Sequence, residues 1–215
     1  MMNESKNHRL DNLIKKLSVD SLCNQIANFE DFALAEQRLS IKMPEDYKYF
    51  CQVLGSGRLD DFIDIFPVVT GRIAESQATA EYMIGKIKDY IEIRENYASQ
   101  EGLEWWNNRD NNGYIKLLES ALIFGGYNGD AVIFWDLRTY NTDDDSYDIY
   151  WYDLDMPEDL DPIKIGRNFT DFICDFCYGQ LPCHFFPDMY EESPREVDYT
   201  FYGLEYGYEF SDPKN

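Results

Sequence analysis

Apolar residues recur along this chain first at helical and later at strand spacing. Leu10, Leu13, Ile14 and Leu17 follow the i, i+3, i+4, i+7 pattern of a short amphipathic helix. Phe29, Phe32, Ala33, Glu36 and Leu39 fall at helical intervals and predict a second helix over Phe29 to Leu39. Pro44 stands where a helix favours its first residue, with Glu45 and Asp46 next, against the positive end of the dipole. Tyr47, Phe50, Val53 and Leu54 give this third helix a buried stripe, and Gly55 gives it a left-handed end. Leu59 to Val69 reads as one strand, roughly alternating through Phe62, Ile63, Ile65 and Val68. From Arg72 to about Asn96 a helical pattern returns, with Ala80, Met83, Ile84, Ile87 and Ile91 on one face.

A polar, aromatic loop follows, carrying Trp105, Trp106 and a turn at Asn112-Gly113. Ala121 to Phe124 reads as a short strand, and Gly125-Gly-Tyr-Asn-Gly129 as a tight turn, since Gly and Asn accept positive φ. Ala131 to Leu137 and Tyr147 to Leu154 continue the strands on either side of an acidic loop, Asp143-Asp144-Asp145. Phe169, Phe172, Ile173 and Phe176 restore helical spacing. After Pro182 the chain reads as irregular up to Val197 to Phe210, where alternation shifts phase near Gly203 as in a bulged strand. This order of elements predicts an α+β domain with a mainly antiparallel sheet flanked by helices. No repeat is visible at solenoid or propeller periods.

Composition narrows the partners. The 44% hydrophobic content and 35 aromatic residues (14 Phe, 4 Trp, 17 Tyr) are those of a folding chain, not of an acidic disordered tail. Against 19 basic residues stand 41 acidic ones, a net charge of −22 that repels nucleic acid and anionic membrane and attracts cationic proteins. The polar N-terminus and the absence of a run of about 18 apolar residues lead us to expect a cytoplasmic protein. Five cysteines (Cys23, Cys51, Cys174, Cys177, Cys183) without framework spacing fit reduced thiols.

Two clusters invite chemistry. Cys174-x-x-Cys177 with Cys183-His184 offers four candidate zinc ligands within eleven residues, but structural zinc sites favour two separated pairs in short turns. Placed on the last helix beside Phe172, Ile173 and Phe176, the first two cysteines read as core packing. The expectation is therefore no metal and no cofactor.

From Asn141 to Asp161 there are nine acidic residues (Asp143, Asp144, Asp145, Asp148, Asp153, Asp155, Glu158, Asp159, Asp161) and no basic one. The run lacks the Gly and the bidentate Glu of a calcium loop, which leaves a solvated loop or a partner-facing surface. Trp105 and Trp106 are either core anchors or interface residues, and the same choice holds for Tyr199, Phe201, Tyr206, Tyr208 and Phe210. No nucleophile elbow or phosphate loop occurs, and carboxylate abundance alone picks out no acid–base pair, so an enzyme is not expected.

Three blocks together resemble the SUKH superfamily. The first runs from Phe29 to Gly57, with Glu36, Leu39, Pro44, Tyr47, Phe50, Gly55 and Gly57 on the pattern and Met43 in place of its usual Leu. The second is Ile123-Phe124 with Asn128-Gly129-Asp130 and Val132-Ile133-Phe134, similar to the family's central hairpin. The third, Phe169-Thr-Asp-Phe172-Ile173, is similar to its closing helix. The resemblance implies one SUKH-like domain with its core over about 29–178, a helical insertion over about 72–118 and a C-terminal extension over 179–215.

It also implies a non-catalytic binding role. The leading expectation is a bacterial immunity protein that neutralises a cognate, basic toxin, often a nuclease. Beside it stand a scaffold or signalling adaptor on the same fold and, from the residues alone, a zinc-binding protein. Candidate partner contacts are Asp143, Asp144, Asp145, Asp148, Asp153, Asp155, Glu158, Asp159, Trp105 and Trp106. Expected structural positions are Glu36, Leu39, Pro44, Tyr47, Phe50, Gly55, Gly129, Asp130, Phe169 and Phe172.

Overall fold

A computed structural model describes residues 4–21, 26–59, 62–97, 110–127, 129–154, 161–178, 180 and 200–204. Its helices are α1 (Glu4–Lys16), α2 (Phe29–Leu39), α3 (Glu45–Leu54), α4 (Thr70–Tyr97), α5 (Asn111–Glu119) and α6 (Phe169–Cys177). Its strands are β1 (Ser18–Ser21), β2 (Gly57–Leu59), β3 (Ile63–Ile65), β4 (Ala121–Tyr127), β5 (Ala131–Asn141), β6 (Ser146–Asp153), β7 (Ile163–Gly166) and β8 (Thr200–Gly203). They form one sheet in the order β1-β8-β2-β3-β4-β5-β6-β7. Among the described strands only the pairing of β1 with β8 is parallel. The α+β class and the mainly antiparallel sheet are as the sequence predicts.

Helices cover both faces of this sheet, and the strands carry the imprint. Leu122, Phe124, Ile133, Trp135, Tyr147, Ile149 and Trp151 join a core with α1, α2, α3 and α6. Ile123, Val132, Phe134 and Tyr152, the alternate residues of the same strands, join a second core with α4 and α5. A period of two sends neighbouring side chains to opposite faces, so strands buried on both sides read as continuous apolar runs. The described parts of the segment read as an insertion, α4 and α5, thus roof the sheet's second face. No helix among the described residues is long and apolar enough to cross a membrane.

Several local expectations change. Leu59 to Val69 is not one strand: β2 and β3 pair as a hairpin, Gly57 opposite Ile65 and Leu59 opposite Ile63. Asn112-Gly113 is no turn but lies in α5, whose N-terminus Asp110 caps by accepting the Gly113 N–H at 2.9 Å. Gly125 and Gly126 extend β4 instead of turning; a Cβ on Gly125 would lie 2.8 Å from the Asp64 carbonyl of β3, so glycine serves strand pairing there. Gly129 does occupy positive φ (85°), and the Asp130 N–H donates to the Tyr127 carbonyl at 3.0 Å. Val53 points outward and Phe29 is exposed, so α2 and α3 bury narrower stripes than their spacing predicts.

β1 follows α1 unannounced. It pairs with β8, the described part of the C-terminal segment. β8 sits between β1 and β2 and buries Phe201 completely. Gly57 makes this possible, because a Cβ there would come within 2.2 Å of the Phe201 ring.

Candidate functional site

The three blocks of the sequence motif meet at one side chain. Tyr47 of α3 is fully buried, and its ring stands edge-on to Phe32, Phe124, Trp135 and Phe169, the last two at 4.7 and 5.2 Å. Its hydroxyl donates to the Phe66 carbonyl and accepts the Val68 N–H at 2.8 Å, fixing the chain that leads into α4. Burial raises this phenol far above its ordinary range. Phe50 stacks edge-on against Phe169 and Phe201.

Glu36 holds the turn before α3. Its Oε1 accepts the Met43 N–H at 2.7 Å and the Lys48 ammonium at 3.1 Å. Lys48 is itself buried, its side chain only 6% exposed, and also pairs with Glu45 at 2.8 Å. Leu39 packs half-buried against the same core. Pro44, at the N-cap of α3, supplies no side-chain acceptor to its first turn.

The acidic hairpin tip supplies that acceptor from a distance. Asp145 Oδ2 accepts the Glu45 N–H at 2.9 Å, while Oδ1 accepts Lys42 Nζ at 3.0 Å and the Tyr140 hydroxyl at 2.7 Å. Asp145 sits at φ 52°, a left-handed conformation that Asp tolerates better than most residues. Burial alone would raise its carboxyl, but these hydrogen bonds offset that and hold it below the ordinary carboxylate range. The same contact pushes Lys42 up to about 12, chiefly through its hydrogen bond with Asp145. Tyr147, donating to the Lys42 carbonyl at 2.9 Å, closes the junction.

The rest of the predicted acidic surface divides. Asp143 is exposed, its N–H bonded to Asn141 Oδ1 at 3.0 Å. Asp144 accepts from Ser146 at 2.6 Å and lies 3.6 Å from Arg167. Asp148 pairs with Lys164 at 2.7 Å and faces Arg167 at 3.7 Å. Asp153 ends β6 half-buried. Asp155, Glu158, Asp159, Trp105 and Trp106 lie outside the described residues.

The uncompensated character expected of this run is therefore corrected, since Lys42, Lys164 and Arg167 arrive from other elements. Asp145 in particular is hydrogen-bonded three ways within the fold. Nothing in the sequence pointed to Lys42 or Tyr140 as companions of Asp145, or to Arg167 as that of Asp144 and Asp148, because these residues meet only once the chain has folded. Lys48 had a local signal, its spacing from Glu45.

Asp46, next to this junction, is a buried carboxyl engaged within the fold. Burial, with Asp145 nearby, pushes its carboxyl up while Asp145 is held down, the split that marks working pairs. Yet both its oxygens are committed, Oδ1 to the Tyr47 N–H and Oδ2 to the N–H and hydroxyl of Thr170 at 3.0 and 2.7 Å. It is a buried link that helps to cap α6 alongside Asn168. On α6, Cys174 and Cys177 are buried in the core, and burial pushes the Cys174 thiol up to about 11. Cys183 and His184 lie outside the described residues, among which no group of three or more His, Cys, Asp or Glu is placed to hold a metal.

The hairpin tip that carries Asp143 and Asp144 is thus joined through Asp145 to the start of α3. The model of the SMI1 / KNR4 family (SUKH-1) matches residues 26–175, well over half of the chain. No curated protein and no solved structure matches it.

Proposed function

The chain belongs to the SMI1 / KNR4 family (SUKH-1), and on that premise we propose that it is a non-catalytic binding protein that neutralises a cognate toxin by occupying it. The toxin is a basic protein, and neither nucleic acid nor membrane is the target. The observation that carries this reading is the clamped acidic tip. Asp145 consumes its own charge in fixing the turn, and so presents Asp143 and Asp144 in one orientation. A rigid negative tip on a chain of net charge −22 steers a cationic partner without prior loop ordering.

The test is growth of cells producing the toxin domain encoded beside this gene, with and without the protein. Rescue by the wild type supports immunity; absence of rescue together with absence of binding refutes it. Steering is tested separately with Asp143→Asn/Asp144→Asn, which leaves Asp145 in place. Association at low salt should slow several-fold and the difference should shrink as salt rises, the exposed charges being screened over about 8 Å at physiological ionic strength. Equal association rates at low salt would remove the tip from the mechanism.

A further inference from the structure

The family match over residues 26–175 takes in α2 to α5, β2 to β7 and most of α6, and leaves out α1, β1 and β8. The two strands it leaves out lie side by side. β8 pairs antiparallel with β2, Gly57 opposite Gly203, Arg58 opposite Tyr202 and Leu59 opposite Phe201. β1 pairs with β8 and, among the described strands, with no other. β1 and β8 together thus line the β2 edge of the sheet that the family core builds. They are held at few points. Phe201 is fully buried, edge-on to Phe50 at 6.2 Å, in the space that Gly57 leaves open. Tyr202 and Gly203 are only half-buried, and all four residues of β1 are exposed. Past the end of β8, Ser56 exchanges two bonds with Leu204: its carbonyl accepts the Leu204 N–H at 3.1 Å, and its hydroxyl donates to the Leu204 carbonyl at 2.9 Å. The Gly203 N–H donates to the Ser21 hydroxyl of β1 at 3.2 Å.

A short strand with one large buried anchor, bordered by an exposed strand, separates from a sheet at lower free energy than strands covered on both faces. Its departure uncovers two things together: the unpaired N–H and C=O groups of β2, and an apolar space beside Phe50 and above Gly57. Those are the parts by which a sheet edge recognises an extended peptide, main-chain pairing for affinity and a pocket for specificity. We propose that the β2 edge is a binding slot for an extended peptide segment with an aromatic side chain opposite Leu59, and that β8 fills it as a tethered, releasable ligand while β2 to β7 stay folded. Gly57 is the specificity-determining position. A Cβ there would come within 2.2 Å of the aromatic ring and 2.5 Å of the Tyr202 carbonyl oxygen, so the slot exists only because this residue is glycine. The slot lies on other strands than the acidic tip, and the proposal does not depend on the immunity reading.

The probe is a synthetic peptide of residues 198–206, with the same peptide carrying Phe201→Ser as control, titrated into the full chain and followed by amide NMR shifts and hydrogen exchange. Two full-chain variants separate release of β8 from occupancy of the slot. Phe201→Ser removes the tethered anchor and leaves the space open. Gly57→Ala, at a position outside the left-handed region, fills the space. In the wild type the Gly203 and Leu204 amides should show protection factors on the order of tenfold or more below those of β5 and β6. In both variants they should fall further while β5 and β6 stay protected. The peptide should bind the Phe201→Ser chain and shift Ser56, Gly57 and Leu59; the control peptide should bind it about tenfold more weakly or worse, as loss of a central aromatic anchor does. The Gly57→Ala chain should bind neither. Exchange of Gly203 and Leu204 only together with β5 and β6 would overturn the proposal. So would a variant that fails to fold, no peptide binding to Phe201→Ser, or equal binding by Gly57→Ala.

Discussion

Asp145 is where the structure departs furthest from an acidic loop, and replacing it should show this. Its carboxylate caps α3 through Glu45, and removing an N-cap acceptor costs about 1 kcal/mol. The Tyr140 hydroxyl and the Lys42 ammonium are its other partners. Lys42 is half exposed, so its pair adds only about 0.2–1 kcal/mol, while the bond to Tyr140 adds about 1 kcal/mol.

Asp145→Ala loses all three interactions. It also forces alanine into a left-handed conformation (φ 52°), at about 1–2 kcal/mol. The expected total is about 3–5 kcal/mol. Asp145→Asn tolerates the backbone and keeps one acceptor for Glu45, so it should lose only about 1 kcal/mol. Asp143→Asn, at an exposed site, should stay within about 0.5 kcal/mol.

Urea unfolding at neutral pH measures all three. The acid dependence supplies a second reading. Because the folded carboxyl lies below its ordinary value of 3.8, its contribution is full above that value and fades as pH falls through the folded value. The gap between wild type and Asp145→Asn should therefore narrow on acidification below about pH 4. An Asp145→Ala cost under about 1 kcal/mol, or a gap that does not narrow in acid, would refute the cap.

Three further substitutions probe the junction around α3. Tyr47→Phe keeps the ring but strands the buried Val68 N–H and the Phe66 carbonyl, and urea unfolding should show a loss of about 2–4 kcal/mol. Glu36→Ala leaves Lys48 with Glu45 alone and the Met43 N–H without its acceptor; the same assay should register about 2–4 kcal/mol. Phe50→Ala empties a fully buried site against Phe169 and Phe201, and a loss of about 3–5 kcal/mol is expected in denaturant, a value under about 1 kcal/mol removing Phe50 from the core.

Wherever a single period dominated, the chain alone settled the element and its face. Phe169, Phe172, Ile173 and Phe176 share one face of α6 and are buried, and the apolar runs of β4, β5 and β6 are strands, although only the structure shows them covered on both faces. Motif residues were legible because their signals are local: a proline and two acids at a helix start, a glycine at its end. Glycines misled at 113, 125 and 126, since the same lack of a Cβ serves a turn, a helix or a close strand pairing, and only the neighbour decides which.

Pairings distant in sequence were decided by tertiary structure. Phe201 enters a space that Gly57 leaves open nearly 150 positions earlier, and Asp145 caps a helix 100 residues before it. The composition of residues 141–161 shows negative charge, but charge is available to a partner only after the fold has taken its share. Lys42, just before α3, and Lys164 and Arg167, in and just after β7, take that share. The exposure of Phe29, Tyr49 and Val53 was hidden for the same reason: helical spacing shows which residues share a stripe, whereas the width of the stripe that is covered depends on how closely α1, α2 and α3 pack.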